Sequence, residues 1–166
     1  MSAPGNKQRR ADGGRNDWQT PPELFRLLDD EFHFDIDAAA SPENALCKRY
    51  FSEEDSAFDH ELCGGWRVFC NPPYGNLKPW IELFIKWADA GNTVVVLVPS
   101  ATDTEWWAHA YRWAEDVMLL SGRVKFINPA TGKPDGSNTT GSTVFVFRER
   151  PRAEPDVWLW DWRAEL

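Results

Sequence analysis

Asn71-Pro72-Pro73-Tyr74 places an amide, two rigid prolines and an aromatic ring in four consecutive residues. The apolar run Val68-Phe69-Cys70 before it reads as a buried strand, and Gly75 after it reads as a turn into a helical pattern. A Pro-Pro pair alone would be a strand-ending turn. An amide before it and a phenol ring after it suit a pocket that grips a planar group bearing an amine. Such an exocyclic amine, N6 of adenine for example, is a poor nucleophile because its lone pair is delocalised into the ring. Two acceptors held near its N–H groups would favour a tetrahedral nitrogen and stabilise the positive charge that develops during attack. Asn71 Oδ1 supplies one acceptor and the Pro72 carbonyl the other. The prolines restrict φ and the residue before them, so that carbonyl is pre-aimed. Tyr74 offers a face on which a flipped base could stack, a contact worth roughly 1–3 kcal/mol. Methyl transfer from a sulfonium is a direct displacement, so its main demand is alignment.

The elements that must position these groups follow from periodicity. Leu24, Phe25, Leu27, Leu28 and Phe32 predict a helix over 22–31, with Thr20 able to cap it and proline in its first turn. Phe34-Asp35-Ile36-Asp37 alternates as a strand and runs into three alanines. A strand is expected over 66–70, a helix over 77–90 and a fully buried strand over 93–98. A helix over 103–115 and a strand over 117–120 come next. Val124 to Ile127 and Thr143 to Phe147 read as a late antiparallel pair joined by the Gly/Pro/Asn/Thr-rich segment 128–142. The alternation predicts an α/β fold, a mostly parallel sheet with helices on both faces. Ligands in such sheets sit beyond the strand carboxyl ends, where Asp37, Asn71 and Pro99 all fall.

The 166 residues fit one domain, with 42% hydrophobic residues and an aromatic load that includes ten Trp and ten Phe. A net charge of −8 argues against non-specific coating of nucleic acid, though not against a local basic face. Residues 1–16 read as a flexible basic tail through Lys7, Arg9, Arg10 and Arg15, followed by a main domain over 17–150. Residues 151–166 form a Trp-rich tail in which Trp158, Trp160 and Trp162 alternate, as in a docked edge strand or an oligomer contact. Cys47, Cys63 and Cys70 give no disulfide framework; Cys63, Cys70 and His60 lack a C-x-x-C pair, so no metal site is expected. No signal peptide or membrane span is visible, and the chain reads as soluble and intracellular.

The tetrapeptide resembles the catalytic motif of S-adenosylmethionine-dependent amino-group methyltransferases. The wider pattern is similar to the phage-type DNA N6-adenine methyltransferases over about residues 17–148. It includes Asp17-Trp18-Gln19-Thr20-Pro21-Pro22, Phe34 to Ala40, Asn44 to Phe51, Trp66 to Gly75, and Val98-Pro99 with Thr102-Asp103-Thr104. Gly122-Arg123-Val124-Lys125-Phe126 and Gly141-Ser142 complete it. That resemblance implies a single Rossmann-like methyltransferase domain acting on a flipped-out adenine of double-stranded DNA, with S-adenosylhomocysteine as product. It implies catalytic Asn71, Pro72, Pro73 and Tyr74, and a donor site at Trp18, Thr20, Pro21, Asp37, Ala38 and Ala39. The three alanines depart from the Gly-rich loop many methyltransferases carry after the first strand. Asp37 has a second reading as a helix or turn cap, and Asp55, a candidate for the donor ribose, reads more simply as part of a solvated acidic face with Glu53 and Glu54. Lys78, Arg123, Lys125 and Phe126 combine cations and an aromatic ring as nucleic acid contacts would. Trp80 reads as core, and Trp106-Trp107 either borders a base pocket or packs a helix. Base readout is expected from loops near 100–107 and 123–142. If phage-encoded, the enzyme would work in the bacterial cytoplasm as a monomer or homodimer. The competing readings are an RNA or protein-glutamine methyltransferase, and an inactive binding module of the same fold.

Overall fold

The computed structural model describes residues 18–149 and 153–166. The predicted basic tail, Asp17 and the boundary near 150 lie outside the described residues. Three helices, α1 (Pro22–Phe32), α2 (Lys78–Asp89) and α3 (Glu105–Trp113), pack on one seven-stranded sheet. Its strands are β1 (Ile36–Asp37), β2 (Arg49–Tyr50), β3 (Arg67–Cys70), β4 (Thr93–Pro99), β5 (Asp116–Leu120), β8 (Ser142–Phe147) and β9 (Asp156–Trp160). They lie in the order β2-β1-β3-β4-β8-β5-β9. β6 (Ile127–Asn128) and β7 (Lys133–Pro134) form a separate antiparallel pair.

β4 shows why the sheet is covered on both sides. Its run Val94 to Val98 is fully buried, with Val94, Val96 and Val98 facing one core and Val95 and Leu97 the other. The first core takes Ile81, Phe84 and Trp87 of α2 and Ala110 of α3. The second takes Leu24, Leu28 and Phe32 of α1, one turn apart along a single helix face. Residues pointing alternately to two apolar layers need no polar face, and this is what a continuous β-branched run encodes. Thr104 caps α3 by accepting from Trp107 N. α1 behaves differently from expectation: Pro21 is its N-cap, and no side chain supplies a capping hydrogen bond. The Phe25 N–H reaches the Pro21 carbonyl instead.

The late antiparallel pair is present, but its members differ from those predicted. β8 lies between β4 and β5, antiparallel to both, with Val96 opposite Phe145 and Met118 opposite Val144. All six of its residues are buried, so it occupies the interior of the sheet. Arg123 and Lys125 could not enter that layer without stranding their charges. Their segment lies outside the main sheet, and Ile127 pairs instead with Gln19 and Pro134. β9 adds in parallel to the outer edge of β5. Trp160 packs against the second core, and Trp162 beyond it is buried there.

Candidate active site

β1, β3 and β4 are parallel neighbours, with Asp37 opposite Phe69 and Cys70 opposite Val96. Their carboxyl ends form one rim, which brings Asp37, Asn71 and Pro99 to the same edge of the sheet.

Asn71 leaves β3 beside a cleft of about 220 Å³. Trp18, Asn71, Pro72, Tyr74 and Pro99 line one part, and Phe126, Asn138, Thr140, Gly141 and Ser142 the other. The volume falls below the roughly 300–1,000 Å³ of sites that enclose drug-sized ligands and suits a single ring system. Asn71 Nδ2 donates to the Trp18 carbonyl at 3.1 Å. A carbonyl can only accept, so this contact fixes which end of the amide is nitrogen. Among the described residues Oδ1 is thereby left as the free acceptor. Pro72 is buried, whereas Pro73 is half-buried and outside the lining.

The Tyr74 hydroxyl donates to the Leu97 carbonyl at 3.3 Å, which anchors the ring through β4. Burial pushes its pKa above the usual phenol range, with the nearby Cys70 adding to the shift, so the group stays neutral and remains a donor. Tyr74 and Phe126 meet edge to face, 6.2 Å between centroids at 84°. Phe126 departs from the expected company of exposed cations. It is 4% exposed and forms the aromatic wall of the cleft. The segment alternates, with Val124 and Phe126 inward and Arg123 and Lys125 in solvent. The Arg123 guanidinium stands 4.0 Å from the position a Gly141 Cβ would occupy, at the cleft edge. Lys78 is exposed at the start of α2, four residues after Tyr74.

Two residues join the walls. The Trp18 carbonyl holds Asn71, while Gln19 N–H and C=O both pair with Ile127, at 3.0 and 2.9 Å. Thr20 and Pro21, buried directly behind, carry the chain into α1. On the far side the Asn138 amide donates to the Val124 carbonyl at 3.2 Å. Ser100 N–H donates to the Gly141 carbonyl at 2.8 Å, and Ser100 Oγ meets Thr143 Oγ1 at 2.7 Å. Sequence reasoning misses Asn138 and Thr140 as individual lining residues, marked only by the loop composition, and singles out Gly141-Ser142 without giving it a site role.

Asp37 sits one strand over and is 3% exposed. Its carboxylate accepts from Leu46 N at 3.1 Å and Ala39 N at 3.4 Å. Burial nevertheless pushes its pKa up to about 6, against the two backbone hydrogen bonds. No side-chain cation pairs with it among the described residues. The turn-cap reading of Asp37 therefore accounts for two contacts but leaves a buried negative charge uncompensated. Ala38 is taken up by the sheet: its N–H donates to the Phe69 carbonyl and its side chain enters the first core. Extension of the sheet by one more hydrogen bond consumes it, and Ala39 alone of the pair stays partly open. Asp55 lies on an exposed loop with Oδ1 2.5 Å from His60 Nε2, and the His60 ring stacks on Phe51 at 4.4 Å. Trp80 packs on the first core edge to face with Phe58. Trp107 packs on Tyr111 and Phe145, which makes it helix packing and not cleft. Among the described residues no group of three or more His, Cys, Asp or Glu is placed to hold a metal ion, and no helix is long and apolar enough to cross a membrane.

A mostly parallel sheet with helices on both faces, carrying an Asn-Pro-Pro-Tyr cleft at its strand ends, defines a Rossmann-like methyltransferase. The chain belongs to the DNA N-6-adenine-methyltransferase (Dam) family, which matches residues 7–156. It is similar to a DNA N-6-adenine-methyltransferase of Escherichia phage T1, 29% identical over 86% of this chain and 67% of the relative. It is also similar to one of Haemophilus phage HP1, 27% identical over 80% of this chain and 79% of the relative.

Proposed function

We propose that this chain transfers a methyl group from S-adenosylmethionine to N6 of an adenine flipped out of double-stranded DNA. The observation that carries this reading is Asn71: its amide is oriented by the Trp18 carbonyl, which leaves Oδ1 free in an aromatic-walled cleft of ring-system size. Asn71 Oδ1 and the Pro72 carbonyl accept from the two N6–H groups and stabilise charge as the nitrogen becomes tetrahedral. Tyr74 and Phe126 bound the ring, with Tyr74 held in place through Leu97. The nitrogen's surplus proton is acidic once a fourth bond forms. Release to solvent is the route proposed for that proton, the described cleft lining holding no carboxylate or imidazole.

The chemistry of the neighbouring residues fits the donor. Asp37 is a buried carboxylate without a cation partner among the described residues, at the rim next to Asn71, and suits an ammonium group. Trp18, Thr20, Pro21 and Ala39 would border the same donor, and Asp55, held by His60, is the proposed ribose contact. When bound, S-adenosylmethionine supplies an electrophilic methyl carbon on a sulfonium sulfur. Purified protein with labelled donor should label DNA, and mass spectrometry of the digested nucleosides should find N6-methyladenosine in its deoxy form. Label confined to RNA or protein would reject the reading.

Lys78, Arg123 and Lys125 are the proposed phosphate contacts. A protein of net charge −8 needs such a local face to meet a polyanion. Lys125→Ala should lower the salt slope of duplex binding by about one and weaken all sequences alike. Anisotropy titrations at several salt concentrations read this directly. An unchanged slope would remove Lys125 from the interface.

A further inference from the structure

We propose that Arg163 is a positioning residue that holds the aromatic wall of the cleft from the C-terminal segment. The inference rests on the reading of Phe126 as that wall, and Arg163 lies beyond the stretch matched by the family. The Arg163 guanidinium donates to two main-chain carbonyls that flank Gly122: Nη1 to Ser121 at 3.1 Å, and Nη2 to Arg123. A fork with two parallel donors spans two acceptors in a way a single ammonium does not. Gly122 has φ +72°, a left-handed conformation that favours glycine, and the missing side chain leaves room for the Arg163 guanidinium to lie close against the turn.

Both ends of the brace are fixed. Trp162 is 3% exposed and shares the second core with Val124 and Phe126, and the Arg163 guanidinium lies 4.8 Å over its ring. Ser121 N–H donates to the Trp160 carbonyl at 2.9 Å. The segment from Arg123 to Phe126 is only four residues long. Freedom at the turn therefore passes directly to the ring that meets Tyr74 and to the guanidinium at the cleft edge.

The test compares the full chain with Arg163→Ala and Arg163→Lys, by amide hydrogen exchange and by steady-state DNA methylation. Arg163→Ala should raise exchange over 121–127 at least about tenfold and leave α2 and β4 unchanged. Its kcat should fall about tenfold while KM for the donor holds, because a misplaced wall weakens alignment without touching the donor site. Arg163→Lys, with one point donor, should be intermediate in both readouts, and it carries the comparison if the alanine variant does not fold. Unchanged exchange over 121–127 would overturn the proposal. So would exchange raised equally in α2 and β4, which would make Arg163 general glue, and so would an unchanged kcat in a locally loosened variant. Should the wild-type chain methylate no DNA, the functional reading falls, and the exchange pattern alone decides whether the brace exists.

Discussion

Asn71→Ala is expected to lower methyl transfer by about 10²–10³-fold, the usual loss when one preorganised charge-stabilising partner is removed from a reacting centre. The fold should survive. The substitution removes one hydrogen bond, Asn71 Nδ2 to the Trp18 carbonyl, from a half-buried position, a loss of about 1 kcal/mol. Single-turnover labelling and thermal melts on the same preparation separate the two effects. Asn71→Asp adds discrimination. It retains an acceptor in the cleft but sets a carboxylate oxygen against the Trp18 carbonyl, which has nothing to donate. Its activity should therefore fall too, with a larger loss of stability than in the alanine variant. An alanine variant retaining more than a tenth of wild-type rate would remove Asn71 from the chemistry.

Asp37 should make the protein's stability depend on pH in an unusual direction. Its folded pKa is raised to about 6 from the ordinary value of 3.8, with burial as the main cause. Its contribution to stability is fully present below pH 3.8 and declines as the pH rises through 6, where the buried group must ionise. The whole shift corresponds to about 3 kcal/mol. The amide of an Asp37→Asn variant cannot titrate. The stability of wild type relative to that variant should therefore fall by roughly 2–3 kcal/mol between about pH 4 and about pH 7. Urea denaturation at the two pH values measures it, and shared titrations elsewhere cancel. A relative stability independent of pH would show that the carboxylate is not buried in solution. A cation at this site would favour the ionised form. Donor affinity should accordingly rise as the pH passes upward through about 6 in the wild type and not in the variant, as calorimetry can test. The stability given up at neutral pH is what supplies a ready negative charge at the rim.

The parts legible in sequence are those set by local periodicity. α2, β3 and β4 fall within one residue of expectation at each end, because their apolar spacing reports burial directly. The tetrapeptide at the end of β3 is legible because its composition makes no sense as core. Pairing is harder. That β8 separates β4 from β5 depends on contacts at long sequence separation, such as Pro99 with Ser142 and Leu119 with Thr143, which no local window contains. Stacking by Phe126 is an expectation of the sequence, but its place is not, because alternation with two cations tells which residues face apart and not which face looks into a cleft. The amide of Asn71 depends on a carbonyl 53 residues away, and main-chain groups leave no trace in residue identity. Arg163 meeting the Gly122 turn is equally a matter of tertiary placement.

The Trp18-Gln19 dipeptide acts as a calliper. One of its carbonyls grips the amide jaw, and the next residue grips the strand carrying the aromatic jaw, through main-chain atoms alone. At this joint the spacing is therefore set by the main chain of Trp18 and Gln19 and not by their side chains. Substitutions at Gln19 leave the gap as it is, whereas one residue inserted between Trp18 and Gln19 resets which ring the jaws can close upon.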